Sequence, residues 1–192
     1  MKTLEERLDA AEKIIKQPAF RQNKGLGNEV GYYIFDYPAE QEMLVRERIE
    51  YMRQKNEASS DEYRIVVFDL YEIVIGILKE KGYLEKCFDF EKNKGFDRIT
   101  KSIGNMLRIT SKDSLLIRHI QERTPEQAII FITGVGKCYP ILRSHTLLNN
   151  LHQVIDTVPV VMFYPGKYDG QELILFSEIK DDNYYRAFKL VD

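Results

Sequence analysis

Residues Gly134-Val135-Gly136-Lys137 come nearest in this chain to the chemistry of a phosphate-binding loop. Glycines leave backbone N–H groups open to an anion, and a lysine adds positive charge. The Walker pattern GxxxxGK[ST], however, needs a glycine where Phe131 stands and a hydroxyl residue where Cys138 stands. Because that hydroxyl is a Mg²⁺ ligand in such loops, we interpret the segment as a tight strand-to-helix turn with glycines at positive φ.

Asp69 ends the apolar run IVVFD, and two roles are open to it. Acidic residues at strand ends hold Mg²⁺ in nucleotide hydrolases, and aspartate is also a preferred N-cap of a following helix. The metal role needs a phosphate loop beside it, so we favour the cap.

Three polar residues, His145, Asn149 and His152, share one face of a helix predicted over Ile141–Ile155. Two histidines seven positions apart are separated by about 10 Å along a helix, which is too far for one zinc ion. Ser144 and His145 point about 100° apart, so they form no catalytic dyad. We interpret the stripe as polar residues that border the core, and we predict neither catalytic residues nor a metal site.

The tail Tyr184–Lys189 alternates aromatic and basic residues. Such a surface can stack single-stranded nucleic acid, but an edge strand over Tyr184–Val191 explains the pattern equally well. Aromatics and arginine are also enriched at protein interfaces, and we favour that role. A nucleic-acid-binding module built on Arg143, Lys167, Arg186 and Lys189 stays open as an alternative, as does a diverged nucleotide-binding protein.

The element that must position these residues is a βαβ unit spanning Ala128 to Gly170. Two apolar runs flank one amphipathic helix, which is typical of neighbouring parallel strands. In such sheets ligands and partners meet the loops at the carboxyl ends of the strands. We therefore expect function to reside in two loops, Thr133–Pro140 and Tyr164–Gly170.

The remaining pattern predicts a single α/β domain over residues 1–192, a three-layer sandwich with a mostly parallel, Rossmann-like or degenerate P-loop-like sheet and room for an antiparallel edge. Cys87–Gly95 is charged and irregular, and we expect an insertion or mobile loop there. The other expected elements are helices over Leu4–Lys16, Pro38 to about Lys55, Tyr71–Lys81, Phe96–Leu107 and Ser114–Arg123, and strands over Tyr32–Phe35, Arg64–Leu70 and Leu173–Phe176.

Composition points to a soluble globular protein. The 192 residues are 44% hydrophobic and 30% charged, with a net charge of −2, which disfavours a general polyanion binder. Two cysteines without CxxC spacing are expected to be reduced thiols of a cytoplasmic protein. The N-terminus lacks the apolar stretch of a signal peptide, and no apolar run is long enough for a membrane span.

The runs SHTLLNNL (Ser144–Leu151), FYPGKYDGQ (Phe163–Gln171) and DDNYYRAFKLV near the C-terminus resemble the BrxB family of the BREX phage-defence systems. The resemblance is strongest from Ile129 to Val191. BREX systems methylate host DNA and block phage replication, and they include an ATPase, a DNA methyltransferase and a phosphatase-like PglZ protein. The resemblance implies a non-enzymatic scaffold or adaptor without a cofactor, contacting the PglZ-like protein and other BREX components, and meeting nucleic acid only indirectly.

The resemblance carries no catalytic set to this chain, so the polar residues of the two loops and the helix are predicted to bind a protein partner. These residues are Lys137, Tyr139, Arg143, His145, Asn149, Lys167, Tyr168 and Asp169.

Overall fold

The computed structural model describes residues 2–22, 31–111, 113–181 and 187–192. Its helices are α1 (Leu4–Ile15), α2 (Pro18–Arg21), α3 (Glu42–Glu57), α4 (Leu70–Glu80), α5 (Leu84–Lys94), α6 (Phe96–Met106), α7 (Leu115–Glu122), α8 (Val135–Cys138) and α9 (Ser144–Leu151). Its strands are β1 (Tyr32–Tyr37), β2 (Arg64–Asp69), β3 (Ala128–Thr133), β4 (Val160–Tyr168), β5 (Leu173–Leu175), β6 (Ile179–Asp181) and β7 (Phe188–Lys189), and a 3-10 turn over Ala39–Gln41 leads into α3.

The strands form one seven-stranded sheet in the order β2-β3-β4-β1-β7, and every pairing along this path is parallel. Strands β5 and β6 are antiparallel and extend the far end of β4. The predicted α/β class with a mostly parallel sheet is confirmed, whereas the antiparallel strands continue the end of the inner strand β4 and do not form an edge of the parallel sheet.

Alternating strand residues supply the two apolar faces of the sheet. In β3, Ile129 and Phe131 pack with α1 and α3 on one face, while Ile130 and Ile132 pack with α4, α6, α7 and α9 on the other. The sheet is therefore buried on both sides, which is why its strands read as continuous apolar runs. None of the described helices is both long and apolar enough to cross a bilayer.

The expected loop at Cys87–Gly95 is wrong, because the segment is helical as α5 and ends at Gly95, whose φ is +82°. All residues of α5 are described, and none is buried. Because only Leu84 and Cys87 of α5 pack against the core, its apolar stripe is short and gives a weak helical pattern in the sequence.

The expected loop at Tyr164–Gly170 is also wrong over most of its length. Strand β4 continues to Tyr168: Pro165 stays in register with Tyr37 of β1, and Gly166 pairs with Leu175 of β5. The Pro-Gly pair resembled a turn, but it lies where the strand changes partners.

The predicted helix over 141–155 is shorter, as α9, and β6 was not predicted. The final strand is confirmed only as Phe188–Lys189, and Tyr184 and Arg186 lie outside the described residues.

Candidate interaction surface at the carboxyl edge

The connections after β1 and β3 leave on opposite faces of the sheet, since α3 packs on one face and α9 on the other. In open α/β sheets such a reversal opens a crevice for ligands beyond the carboxyl ends of the strands. Here β4 lies between these two strands, runs past the edge, and folds back as β5 and β6. The hairpin occupies the position that a ligand takes in other proteins of this architecture.

Close contacts show how tightly the hairpin is seated. A Cβ added to Gly166 would lie 2.1 Å from the backbone oxygen of Ile174, and one added to Gly136 would lie 2.8 Å from the ring of Phe176. The space left between the hairpin and the segment around Tyr139 and Arg143 is about 20 Å³. A water needs about 10–15 Å³, so this space is about the size of one water molecule and is too small for a nucleotide.

Asp69 is an N-cap, as predicted: its Oδ1 accepts hydrogen bonds from the backbone N–H groups of Tyr71 and Glu72 at 3.0 and 3.2 Å. Its Oδ2 accepts from Lys137 Nζ at 2.6 Å, and that ammonium also lies 5.3 Å from the centre of the Tyr71 ring. The lysine of the glycine loop is thus neutralised within the protein and is not held ready for a phosphate.

Gly134 adopts φ +73° at the end of β3, which confirms the tight turn there. A Cβ at this position would lie 2.5 Å from Asp69 Oδ1, so glycine is needed for space as well as for conformation. Gly136 is not at positive φ, and it is required instead by its contact with Phe176.

Asp36, at the end of β1, is a buried carboxylate that the sequence did not reveal. Its Oδ1 accepts from Arg7 Nη2 at 2.5 Å, its Oδ2 accepts from the Tyr168 N–H at 3.0 Å, and Lys189 Nζ lies 4.0 Å away. Arg7 also donates to the Asp36 carbonyl oxygen at 2.8 Å. The group ties α1, β1, β4 and β7 together, and every partner lies at least 29 residues away in the chain.

Tyr37 follows directly and is equally engaged. Its hydroxyl donates to Glu42 Oε2 at 2.5 Å, and Arg46 Nε donates to Glu42 Oε1 at 2.8 Å. Burial, and then the bond to Glu42, raise the pKa of the Tyr37 phenol well above its usual range. The phenol stays protonated at neutral pH and is no general base.

The predicted contact residues fall into separate places on the surface. Lys137 pairs with Asp69, and Tyr139 and Arg143 border the small cavity beside β6. His145 is half-buried and Asn149 exposed on α9. Lys167 is exposed on β4, and Asp169 is exposed in the turn after it. Backbone hydrogen bonds, first from Glu172 and then from Gln171, lower the pKa of Asp169.

Tyr168 differs from the other predicted contacts because it lies in the core, with 1% of its surface exposed. Its hydroxyl donates to the carbonyl oxygen of Ala187 at 2.6 Å. This buried side chain is therefore a structural residue and is not itself available to a partner. We call the seven accessible or half-buried residues Lys137, Tyr139, Arg143, His145, Asn149, Lys167 and Asp169 the carboxyl-edge surface.

The polar stripe of α9 is structural at His152, whose ring stacks on Tyr32 with centroids 3.6 Å apart. The Tyr32 hydroxyl donates to the Ile155 carbonyl at 2.9 Å. In the part of the chain that the structure describes, no three His, Cys, Asp or Glu residues are grouped so that they could hold a metal ion. Burial raises the pKa of the Cys138 thiol to about 12, so this cysteine is an unreactive core residue.

Comparison with known proteins identifies relatives along nearly the whole chain. A family model described as BREX protein BrxB matches residues 66–190. A protein named BREX protein BrxB from Bacillus cereus (strain H3081.97) is 55% identical over 194 residues, covering 100% of both chains. One with the same name from Escherichia coli O9:H4 (strain HS) is 32% identical over 188 residues, covering 98% of this chain and 92% of its own. No solved structure matches significantly. The family match spans well over half of the sequence and both relatives align almost end to end, and the chain therefore belongs to the BrxB family of BREX proteins.

Proposed function

We propose that this BREX component is a non-catalytic adaptor that docks the PglZ phosphatase-like component of its defence complex. The observation that carries the proposal is the closed crevice: strands β5 and β6 fill the place where this architecture binds small molecules. A fold whose ligand site is filled by its own chain still presents a rigid edge, and rigid edges suit recognition of another protein.

The charged groups of the edge favour the same interpretation. Asp69 is satisfied by Lys137 and by two backbone amides, and Asp36 is satisfied by Arg7 and the Tyr168 amide. Groups held by internal partners are poor acids, bases and phosphate ligands, since a substrate would have to displace those partners first. They do fix the loop and the hairpin in one geometry, which lowers the entropic cost of docking.

The carboxyl-edge surface supplies the contacts in this proposal. Arg143 is exposed next to a half-buried tyrosine, Tyr139, and Lys167 and Asp169 are exposed on the hairpin. Arginine and tyrosine are the residue types that dominate binding energy at protein interfaces, and surrounding polar residues provide register.

The test is co-expression of the tagged chain with the other proteins of its BREX locus, followed by affinity purification and size-exclusion chromatography. We expect a stoichiometric complex with the PglZ-like protein. Arg143→Glu and Lys167→Glu are expected to reduce the bound PglZ-like protein about tenfold or more, because a like charge at an interface repels the partner. Lys13→Glu is the matched control. It makes the same charge change at an exposed position of α1, which packs on the opposite face of the sheet from α9.

Equal recovery of the PglZ-like protein with all three variants would overturn the assignment of this surface. A folded chain that elutes as a free monomer in the presence of every other component would overturn the adaptor role itself. Circular dichroism and thermal midpoints of the variants, compared with the parent chain, establish that the fold is intact.

A further inference from the structure

The hairpin of helices α5 and α6 carries an apolar groove of about 180 Å³. Its walls come from the end of α4 and from one side of each helix of the hairpin. The residues that line it are Leu78, Tyr83, Lys86, Cys87, Phe90, Ile99, Ser102, Ile103 and Met106. The groove shares no residue with the carboxyl-edge surface.

Exposed aromatic side chains cluster on the α5–α6 hairpin: Tyr83 and Phe90 line the groove, Phe96 begins α6, and Phe88 lies on the far side of α5. Phe88 and Phe96 expose 55% and 54% of their surface, and Tyr83 and Phe90 expose 40% and 37%. Two exposed aromatics in one apolar groove, with a third at the start of α6, differ from the singly scattered apolar residues of an ordinary surface, and exposed apolar patches mark interaction sites.

Helix α5 depends on few contacts of its own. Only Leu84 and Cys87 reach the core, and both are half-buried. An eleven-residue helix is marginal in water without an apolar face packed against something. An occupant of the groove would supply the burial that α5 lacks.

The charge around the groove indicates what the occupant must carry. Lys86 lines it, Lys94 follows Phe90 by one turn of α5, and Arg98 precedes Ser102 by one turn of α6. Against these three cations stand two flanking acids, Asp89, three residues after Lys86, and Glu91, four residues after Cys87. The border is therefore basic although the whole chain has a net charge of −2.

We propose that the α5–α6 groove binds an amphipathic helix of a partner protein, with apolar anchors in the groove and acidic residues on the flanks of that helix. Helices dock in this way when apolar residues at positions i, i+3, i+4 and i+7 enter a hydrophobic groove. The inference rests on the proposed role as an interaction subunit, but it assigns a second surface and a chemical class of partner.

Two labelled peptides test the partner class on the full-length chain. Each is roughly 18 residues long, about five helical turns, with the same leucine anchors, and one has glutamate flanks where the other has lysine. We expect the glutamate peptide to bind about tenfold or more tightly by fluorescence anisotropy, because its charge complements the border. Its binding is also expected to slow alkylation of Cys87, which locates it in the groove.

Charge reversal on the chain supplies the control for position. Lys86→Glu combined with Arg98→Glu is expected to reverse the preference between the peptides. Lys92→Glu is a single charge reversal on the side of α5 away from the groove. It is expected to leave the affinity for both peptides unchanged. Arg143→Glu is also expected to bind the peptide normally, so failure of the carboxyl-edge proposal is distinguishable from failure of this one.

Equal affinity for the two peptides, or a preference that the double reversal does not alter, would overturn the proposal. So would dimerisation of the chain in sedimentation experiments with loss of Cys87 alkylation, since the occupant would then be a second copy. Matched thermal midpoints of the variants and the parent chain show that any change in binding is not a loss of fold.

Discussion

At the carboxyl edge of the sheet, Tyr164 and Tyr168 expose only 1% of their surface, whereas Phe88 and Phe96 on the α5–α6 hairpin expose more than half. The edge also pairs its charges internally, as in Asp69 with Lys137, while the border of the groove carries more cations than acids. The carboxyl edge, which resembles a ligand site, is thus filled by the chain's own residues. The α5–α6 groove, which carries no sequence motif, leaves apolar surface exposed to solvent. Recognition is expected where burial is incomplete, and catalysis is not expected where the reactive groups already have partners.

The largest effect on stability is expected from Gly166→Ala, which disrupts the packing of β5 against β4 at the carboxyl edge. The added Cβ would lie 2.1 Å from the Ile174 backbone oxygen, and backbone cannot move aside as a flexible side chain can. We expect the free energy of unfolding to fall by about 3 kcal/mol, at the upper end of overpacking costs. Gly76→Ala in α4 is the control: nothing lies within 4 Å of its Cβ, and a gain of about 0.5–1 kcal/mol is expected in urea titration. A neutral Gly166→Ala would show that the hairpin is not seated as described.

Asp36→Ala is expected to be nearly as costly, about 3 kcal/mol in the same titration, because it leaves Arg7 without its partner in a largely buried site. Asp9→Ala removes an exposed carboxylate that pairs with Arg48. It is expected to lower the free energy of unfolding by less than about 1 kcal/mol. Equal costs for the two substitutions would mean that the Asp36 cluster does not hold the edge together.

The two cysteines report on the two regions directly. Burial raises the pKa of Cys138 to about 12, and burial also raises the pKa of Cys87, which is only half-buried and lines the groove. Since the thiolate is the reactive form, we expect Cys87 to be alkylated at pH 8 at least about a hundredfold faster than Cys138. Mass spectrometry of the peptides measures both rates, and unfolding in urea is expected to abolish the difference. Comparable native rates would contradict a closed edge.

A smaller effect is expected from Asp69→Ala, about 1 kcal/mol, because it removes a helix cap and a half-exposed ion pair. Asp69→Asn keeps an oxygen for the cap and is expected to recover most of the loss in a thermal unfolding experiment. If the asparagine variant were as unstable as the alanine variant, the ion pair and not the cap would be the stabilising contact.

The sequence predicted the elements that a local pattern marks, either an amphipathic helix or a continuous apolar strand. Helix α1 was predicted over Leu4–Lys16, and the capping box of Thr3 and Glu6 that begins it has both reciprocal hydrogen bonds. The parallel strands were predicted from their apolar runs, because burial on both faces leaves no polar alternation. Asp69 was predicted as a cap because capping is a local interaction, between residues two or three positions apart.

Features that depend on distant pairing could not be predicted. The Asp36–Arg7 contact joins residues 29 positions apart, and no local pattern marks it. The extension of β4 through Pro165 and Gly166 depends on β1 and β5 as partners, so the turn-like residues were misleading. The burial of Tyr168 follows from that extension. Helix α5 was missed because nothing inside the described chain covers its aromatic side chains.

Hydrogen–deuterium exchange of the chain, alone and in the complex purified with its BREX components, tests most directly whether it acts through its surface. We predict slower exchange in the complex at α5, α6 and the carboxyl-edge surface, and no change when millimolar ATP and Mg²⁺ are added to the free chain. Protection of residues 134–137 by nucleotide, together with unchanged exchange at α5, α6 and the carboxyl-edge surface in the complex, would contradict a role through the protein surface.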